Sequence, residues 1–199
     1  MNPMFPTASV WTAVFLAVVA ASAHAVPVQS KVSSATELAY SADVSNSDLL
    51  TGKTATTTDW NTTNGSTTPE LNDGIHGGTY TGAGSVAGTW TTVGATAIYN
   101  LGLGSGGQGY NLTSIQTIAA WVNAAFGNQA YTVDVKLKGA ANYTTLATVD
   151  YQPLAAGAIG ATKVTLTDST GTLASGVEFI RFTANSVNGG ANSGAFVFR

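Results

Sequence analysis

The chain has 199 residues, of which 44% are hydrophobic and 9% charged, with seven Lys and Arg against ten Asp and Glu and a net charge of −3. Because no basic run is present, the composition argues against a protein that binds nucleic acid or anionic lipid electrostatically. The absence of cysteine excludes disulfides and thiol catalysis, and the hydrophobic content favours a packed fold over disorder.

The first 25 residues are typical of a signal peptide. An uncharged apolar run covers residues 10–21, which is short of the ~20 residues that a membrane-spanning helix needs. Ala23 and Ala25 then supply the small side chains of a cleavage site. We predict cleavage after Ala25 and a mature chain, starting at Val26, that has no integral membrane segment. A cysteine-free exported chain fits a bacterial protein that is secreted or held in the cell envelope.

The residues after the predicted signal peptide are enough for one domain with a single core. Residues 26–44 are polar and are predicted to be an N-terminal segment or an edge strand, with residues 37–40 as its best candidate. Residues 45–199 are predicted to form the folded domain. Since Arg199 directly follows an apolar, strand-like stretch, we expect this domain to be truncated at its last strand.

Short strands separated by glycine-rich turns follow along the chain. In residues 131–138 apolar side chains alternate with polar ones, so Val135 is predicted to face the core while Asp134 and Lys136 face water. A turn-length gap leads to residues 143–150, which predicts a hairpin. Further strands are predicted at residues 97–101, 112–122, 163–167, 177–184 and 195–198. This set predicts an all-β protein built as an antiparallel β-sandwich.

Five short motifs follow one another in the chain: LNDG at 71–74, AIYNLG at 97–102, LTSIQ at 112–116, YTVDV at 131–135 and GVEFIRF at 176–182. In this order and spacing they resemble the galactose-binding-like jelly-roll family, which includes discoidin or coagulation-factor C-type domains and related carbohydrate-binding modules. Asn100 stands where the family usually has an acidic residue, and the cysteine pair of the animal members is absent. The resemblance implies a jelly roll that binds ligands through loops at one end.

Groups suited to catalysis are scarce. His76 is the single histidine beyond the predicted signal peptide, and we expect it to be exposed in the loop at 73–78 with no neighbour to orient it. The acidic residues are isolated in turns or on polar strand faces, so none is paired as glycosidases require. The glycine-rich segment 102–107 precedes no helix and lacks the amide cradle of a phosphate site. We predict that the protein is not an enzyme.

Asp73 is the candidate metal ligand. The resemblance implies a structural Ca²⁺ at this loop, held by one Asp side chain and several backbone carbonyls. Calcium takes six to eight oxygen ligands, and the glycines after Asp73 leave carbonyls exposed. The alternative is that Asp73 and Gly74 form an ordinary turn, for which Asp-Gly is a common dipeptide.

Aromatic residues in polar, turn-rich stretches are the candidate ligand-binding residues. Trp60 lies between Asp59 and Asn61, and Tyr80 lies in a later loop. An aromatic face suits the apolar side of a sugar ring, while Asp and Asn can bond its hydroxyls. The alternative is that these aromatics fill the core beneath long loops.

These observations predict an exported, non-catalytic module that binds carbohydrate or a cell-surface or matrix glycan. One alternative is a structural surface or adhesion protein without a small ligand. Another is an accessory domain of a larger secreted hydrolase. Nucleic acid is not expected as a partner, and apart from Ca²⁺ no cofactor is implied.

Overall fold

A computed structural model describes residues 26–61, 68–78, 89–122, 126–187 and 196–198. These residues form ten strands and two short 3-10 turns, at Ser41–Asp43 and Thr68–Leu71. The strands are β1 Val28–Ser34, β2 Thr56–Asn61, β3 Thr89–Asn100, β4 Tyr110–Leu112, β5 Ser114–Trp121, β6 Gln129–Leu137, β7 Thr144–Tyr151, β8 Gly160–Thr167, β9 Ala174–Ala184 and β10 Phe196–Phe198. No helix in this part of the chain is long and apolar enough to cross a membrane.

The strands form two layers joined at one side by β10. The pairing order is β1-β8-β5-β10-β3-β9-β6-β7, with β2 on β3 and β4 on β9. Phe198 of β10 lies opposite both Ala119 of β5 and Thr89 of β3, which links the layers. All of these pairings are antiparallel. The predicted all-β antiparallel sandwich is therefore confirmed, as is the hairpin of β6 and β7.

The core lies between the inner faces of the two layers. Val133 and Val135 of β6 belong to the same core cluster as Val164 and Leu166 of β8, and each is at most 1% exposed. Burying a side chain of this size contributes roughly 1.5–3 kcal/mol, so these central strands supply much of the hydrophobic stabilisation. The predicted inward face of β6 is confirmed.

The predicted outward face of β6 is wrong at one position. The Asp134 side chain is 7% exposed. Arg181 of β9 donates from Nε at 3.0 Å and from Nη2 at 2.8 Å to Asp134 Oδ2, and Thr145 of β7 donates to Oδ1 at 2.7 Å. Asp134 lies directly opposite Arg181 in the register, so the long Arg side chain covers the carboxylate. Alternation within one strand does not reveal such a partner on the next.

The N-terminal edge strand lies earlier than predicted. It is β1, which pairs with β8, whereas residues 37–40 form turns in which Ala39 N donates to Thr36 O. The polar side chains of β1 explain why this strand lies at the edge of its layer, next to β7. Gln29 Nε2 donates to Thr148 O and Lys31 Nζ to Asp150 O, each at 2.9 Å. These bonds satisfy carbonyls on β7 and close the second side of the sandwich, the side away from β10.

Candidate functional site

A cavity of about 350 Å³ opens between the two layers. Its inner surface comes from β2, β3, β4, β5, β9 and β10. Two loop stretches complete it, residues 44–50 and 71–75, which we call the cover segments. Aromatic rings from the strands line its interior: Trp60, Tyr99, Phe182 and Phe198. The cavity therefore combines an aromatic interior with a lining of loop residues.

The rings are fixed in a continuous series across the core. Trp60 stacks on Phe198 with centroids 6.0 Å apart and planes inclined by 29°. Tyr131 contacts Phe198 and Phe182 edge-on, at 5.9 Å in each case, and Phe182 contacts Tyr99 at 6.3 Å. Such pairs add roughly 0.5–1.5 kcal/mol each beyond the area that they bury, so this side of the cavity is rigid.

Trp60 is directed into the sandwich by a β-bulge. The register of β2 against β3 shifts between Thr58 and Trp60, and Asp59 between them has a positive φ of 58°. A bulge re-aims the side chains around it. Trp60 is half-buried, and its Nε1 donates to Thr96 O at 2.7 Å. This placement agrees with the alternative that Trp60 packs on the core, and the same residue lines the cavity.

The other three predicted ligand-binding residues are Asp59, Asn61 and Tyr80. Asp59 is exposed on the bulge, and its carbonyl accepts a hydrogen bond from Thr92 Oγ1. Asn61 ends β2, and its backbone pairs with Trp90 of β3. Tyr80 lies outside the described residues. Sugar contact by these residues stays a prediction.

Asn72 joins the cover segments to each other and to the sheet. Its Nδ2 donates to Leu50 O at 2.5 Å and to Lys53 O at 2.8 Å. Its Oδ1 accepts a hydrogen bond from Tyr99 Oη at 3.1 Å. Burial and, to a smaller extent, the Asp48 carboxylate raise the pKa of Tyr99, so its hydroxyl stays protonated and able to donate. The sequence marked residues 71–74 as a motif but gave no sign that the amide of Asn72 has this role.

Two carboxylates lie at the cover segments. Asp48 Oδ1 accepts hydrogen bonds from Leu50 N, Thr51 N and Thr51 Oγ1, which shapes the first segment. Asp73 Oδ1 accepts one from Ile75 N at 2.8 Å and closes a turn in the second. Both residues line the cavity. The structure thus places Asp73 and Trp60, which are predicted for different roles, around one cavity.

The loop around Asp73 provides few side-chain ligands for a metal. Among the described residues no three His, Cys, Asp or Glu side chains lie close enough together to hold an ion. A Ca²⁺ at Asp73 would therefore depend mainly on backbone carbonyls, as the resemblance implies. The hydrogen bond that Ile75 N donates to Asp73 Oδ1 is one expected in an Asp-Gly turn, so the structure also fits the alternative that Asp73 and Gly74 form an ordinary turn.

The expectation that His76 is exposed is wrong. His76 is 4% exposed. The loop folds back onto the first cover segment instead of extending into solvent, because Asn72 bonds Leu50 O and Gly74 lies directly against Asn46. A loop sequence rich in glycine does not reveal that it packs against another loop.

Comparison with known proteins gives a likeness of fold. No protein-family model matches the chain, and no curated protein matches it. Two solved structures from Clostridium perfringens cover 73% of this chain at 16% identity. They are CpGH89CBM32-5 in complex with GalNAc-β-1,3-galactose (TM-score 0.47, 90% of that chain) and the family 32 carbohydrate-binding module of NanJ in complex with galactose (0.46, 88%). A third is CBM32-1 from a family 31 glycoside hydrolase of the same organism (12% identity, TM-score 0.35, 57% of this chain and 72% of that one).

Proposed function

We propose that this chain is an exported, non-catalytic module that binds carbohydrate in the cavity under the cover segments. The observation that carries the proposal is the composition of the cavity lining. Trp60 and Tyr99 offer aromatic surface, while the carboxylates of Asp48 and Asp73 bring polar groups to the same space. Ligand sites are typically concave, mostly apolar and provided with a few convergent polar groups. A sugar needs that combination, because its ring has an apolar side and a hydroxyl rim.

The chemistry of the described residues supports binding over catalysis. General acid–base catalysis needs a titratable group within hydrogen-bond reach of substrate and poised by its neighbours. Asp134 is engaged by Arg181 on the far side of β6 from the core. Asp48 and Asp73 accept hydrogen bonds from backbone amides of their own turns. The carboxylates of Asp48 and Asp73 thus shape the loops, which suits a binding module.

A pair of matched substitutions tests the site. Ile75 lines the cavity and is 57% exposed, whereas Ile159 is 52% exposed and is not part of the lining. We expect Ile75→Ala to weaken sugar binding several-fold and Ile159→Ala to leave it unchanged, with the melting temperature nearly constant in both. Galactose and N-acetylgalactosamine, the sugars present in two of the similar structures, are the first ligands to titrate by calorimetry, followed by a glycan array.

The array decides between this proposal and its rival. If the intact protein binds no sugar, or if the two variants lose affinity equally, the cavity is not a carbohydrate site. A structural surface or adhesion role would then be the better interpretation.

Calcium binding at Asp73 is a separate part of the proposal. A metal that binds only the folded state raises the melting temperature by mass action. We expect millimolar Ca²⁺ to raise it for the wild type and not for Asp73→Asn, which keeps an oxygen for Ile75 N but loses the charge. Asp168→Asn is the matched control, since Asp168 Oδ1 accepts from Thr170 N in a similar turn. No calcium-dependent shift in the wild type, or a shift that survives in Asp73→Asn, would leave Asp73 and Gly74 as an ordinary turn.

A further inference from the structure

A group of cations and aromatic rings lies on the outer face of β6 and β9, opposite the core. We call it the cationic strip: Lys136, Lys138, Arg181, Tyr143 and Phe179. Lys136 and Arg181 leave β6 and β9 on the side opposite Val135 and Ile180, which are buried. Lys138 directly follows β6, and its Nζ donates to Gln108 Oε1 at 3.3 Å. The strip takes no part in the cavity.

The aromatic rings hold the cations in place. The Arg181 guanidinium carbon lies 4.3 Å from the Tyr143 ring centroid. Lys136 Nζ lies 4.5 Å from the Phe179 centroid and 5.9 Å from that of Tyr143. Cation–π contacts at such sites contribute roughly 0.5–1 kcal/mol each. A lysine that is already ordered loses less side-chain entropy when it binds a ligand, so the strip is preorganised.

Charge is concentrated here in a chain that has little of it. The strip holds three of the seven Lys and Arg of a protein with net charge −3. Arg181 is paired with Asp134. Among the described residues neither Lys136 nor Lys138 belongs to an ion pair, whereas Lys163 on the other layer pairs with Asp43. The two lysines therefore leave a local positive charge on an otherwise acidic protein.

The strip is part of a longer polar surface. Same-face positions from Thr132 to Lys138 extend over about 20 Å at the rise of a β-strand. At the far end, Asn185 Nδ2 donates to Thr132 Oγ1 at 3.3 Å. An elongated surface with hydroxyl and amide groups beside spaced cations complements an extended polymer with spaced negative charges. Nucleic acid is less suited, because two unpaired lysines offset few of its closely spaced phosphates.

We propose that the cationic strip is a second binding site, for the carboxylate groups of an acidic polysaccharide. In this arrangement sugar carboxylates meet Lys136 and Lys138, while Arg181 is held by Asp134 and Tyr143 as part of the supporting surface. The inference rests on the proposed function for its ligand class, but its location is independent of the cavity.

Affinity electrophoresis of the mature chain tests the proposal, with polygalacturonate as the acidic probe and dextran as the neutral one. We expect polygalacturonate to retard the protein, dextran to have no effect, and added salt to weaken the retardation. Lys136→Gln with Lys138→Gln should weaken binding by about 1.4- to fivefold for each charge removed, the range of exposed ion pairs. Lys31→Gln with Lys163→Gln removes the same charge from β1 and β8 and should leave the retardation unchanged. Because Lys31 donates to Asp150 O and Lys163 pairs with Asp43, thermal melting must show that this control keeps its fold.

Arg181 is not a suitable variant, because its loss leaves the Asp134 carboxylate buried without its partner and threatens the fold. Lys138 is exposed and Lys136 is partly exposed, so we expect both lysine substitutions to preserve the fold, and thermal melting verifies this. No retardation by polygalacturonate, or equal losses in the two double variants, would overturn the proposal. Stronger retardation by poly-L-glutamate than by polygalacturonate would also overturn it, in favour of an acidic peptide.

The cavity proposal and the strip proposal can be contradicted independently of each other. Ile75→Ala should weaken the cavity ligand and leave polygalacturonate binding intact, and the Lys136 and Lys138 double variant should do the reverse. If polygalacturonate binding falls with Ile75→Ala, the acidic polymer occupies the cavity and the strip is not a site.

Discussion

Val135→Asp is expected to lower the free energy of unfolding by at least about 4 kcal/mol, enough to unfold a domain of ordinary stability. Val135 lies in the interior of β6, where Thr144 of β7 and Ile180 of β9 lie opposite it, and it is 1% exposed. A carboxylate placed there faces the apolar core, and the buried residues that the structure describes include no Lys or Arg to pair with it. Urea denaturation followed by tryptophan fluorescence measures the loss.

Val28→Asp is the matched control. Val28 begins β1 and is 56% exposed, so the same substitution stays in water and should change the stability by less than about 0.5 kcal/mol. Comparable losses at the two positions would mean that the faces of β6 and β1 are assigned incorrectly.

The strands that the sequence predicted are those that bury one face against the core. In β6 and β9 that face requires apolar residues at every second position, so the requirement leaves a visible pattern. The sequences of β1 and β2 show no such alternating pattern. Residues 56–61 are three threonines followed by Asp59, Trp60 and Asn61, and β1 is held at its side by Gln29 and Lys31. Side-chain hydrogen bonds at the edge of β1 and the bulge in β2 do not require apolar residues at every second position, so neither strand shows a period of two.

The candidate site was predictable only as separate parts. The motif at 71–74 and the isolated Trp60 were visible in the sequence, but their meeting around one cavity depends on the bulge at Asp59 and on the bonds of Asn72. The prediction that Asp134 faces water was wrong for a related reason. Its environment is set by Arg181, 47 residues away, through a register that alternation within one strand does not specify. Long-range pairing is the information that local patterns lack.

The cover of the cavity depends on the close approach of two loops, and Gly74→Ala is expected to disrupt it. Gly74 has a φ of +77°, and a Cβ there would lie 2.5 Å from Asn46 Cβ and 2.7 Å from Asn46 Cα. A left-handed conformation costs a residue other than glycine roughly 1–2 kcal/mol. The contact adds a further cost, because backbone cannot move aside as the end of a flexible side chain can. We expect a total loss of about 3 kcal/mol or more.

Gly52→Ala separates the two causes. Gly52 has nearly the same φ, +73°, but a Cβ there would meet no atom within 4 Å, so only the conformational cost of about 1–2 kcal/mol remains. Urea denaturation of both variants gives the difference, which reports the contact between residues 74 and 46. If the cavity binds sugar as proposed, Gly74→Ala should also weaken that binding, since Asp73 and Ile75 on either side line the cavity, while Gly52→Ala should not. Equal stabilities of the two variants would contradict the packing of the second cover segment on the first.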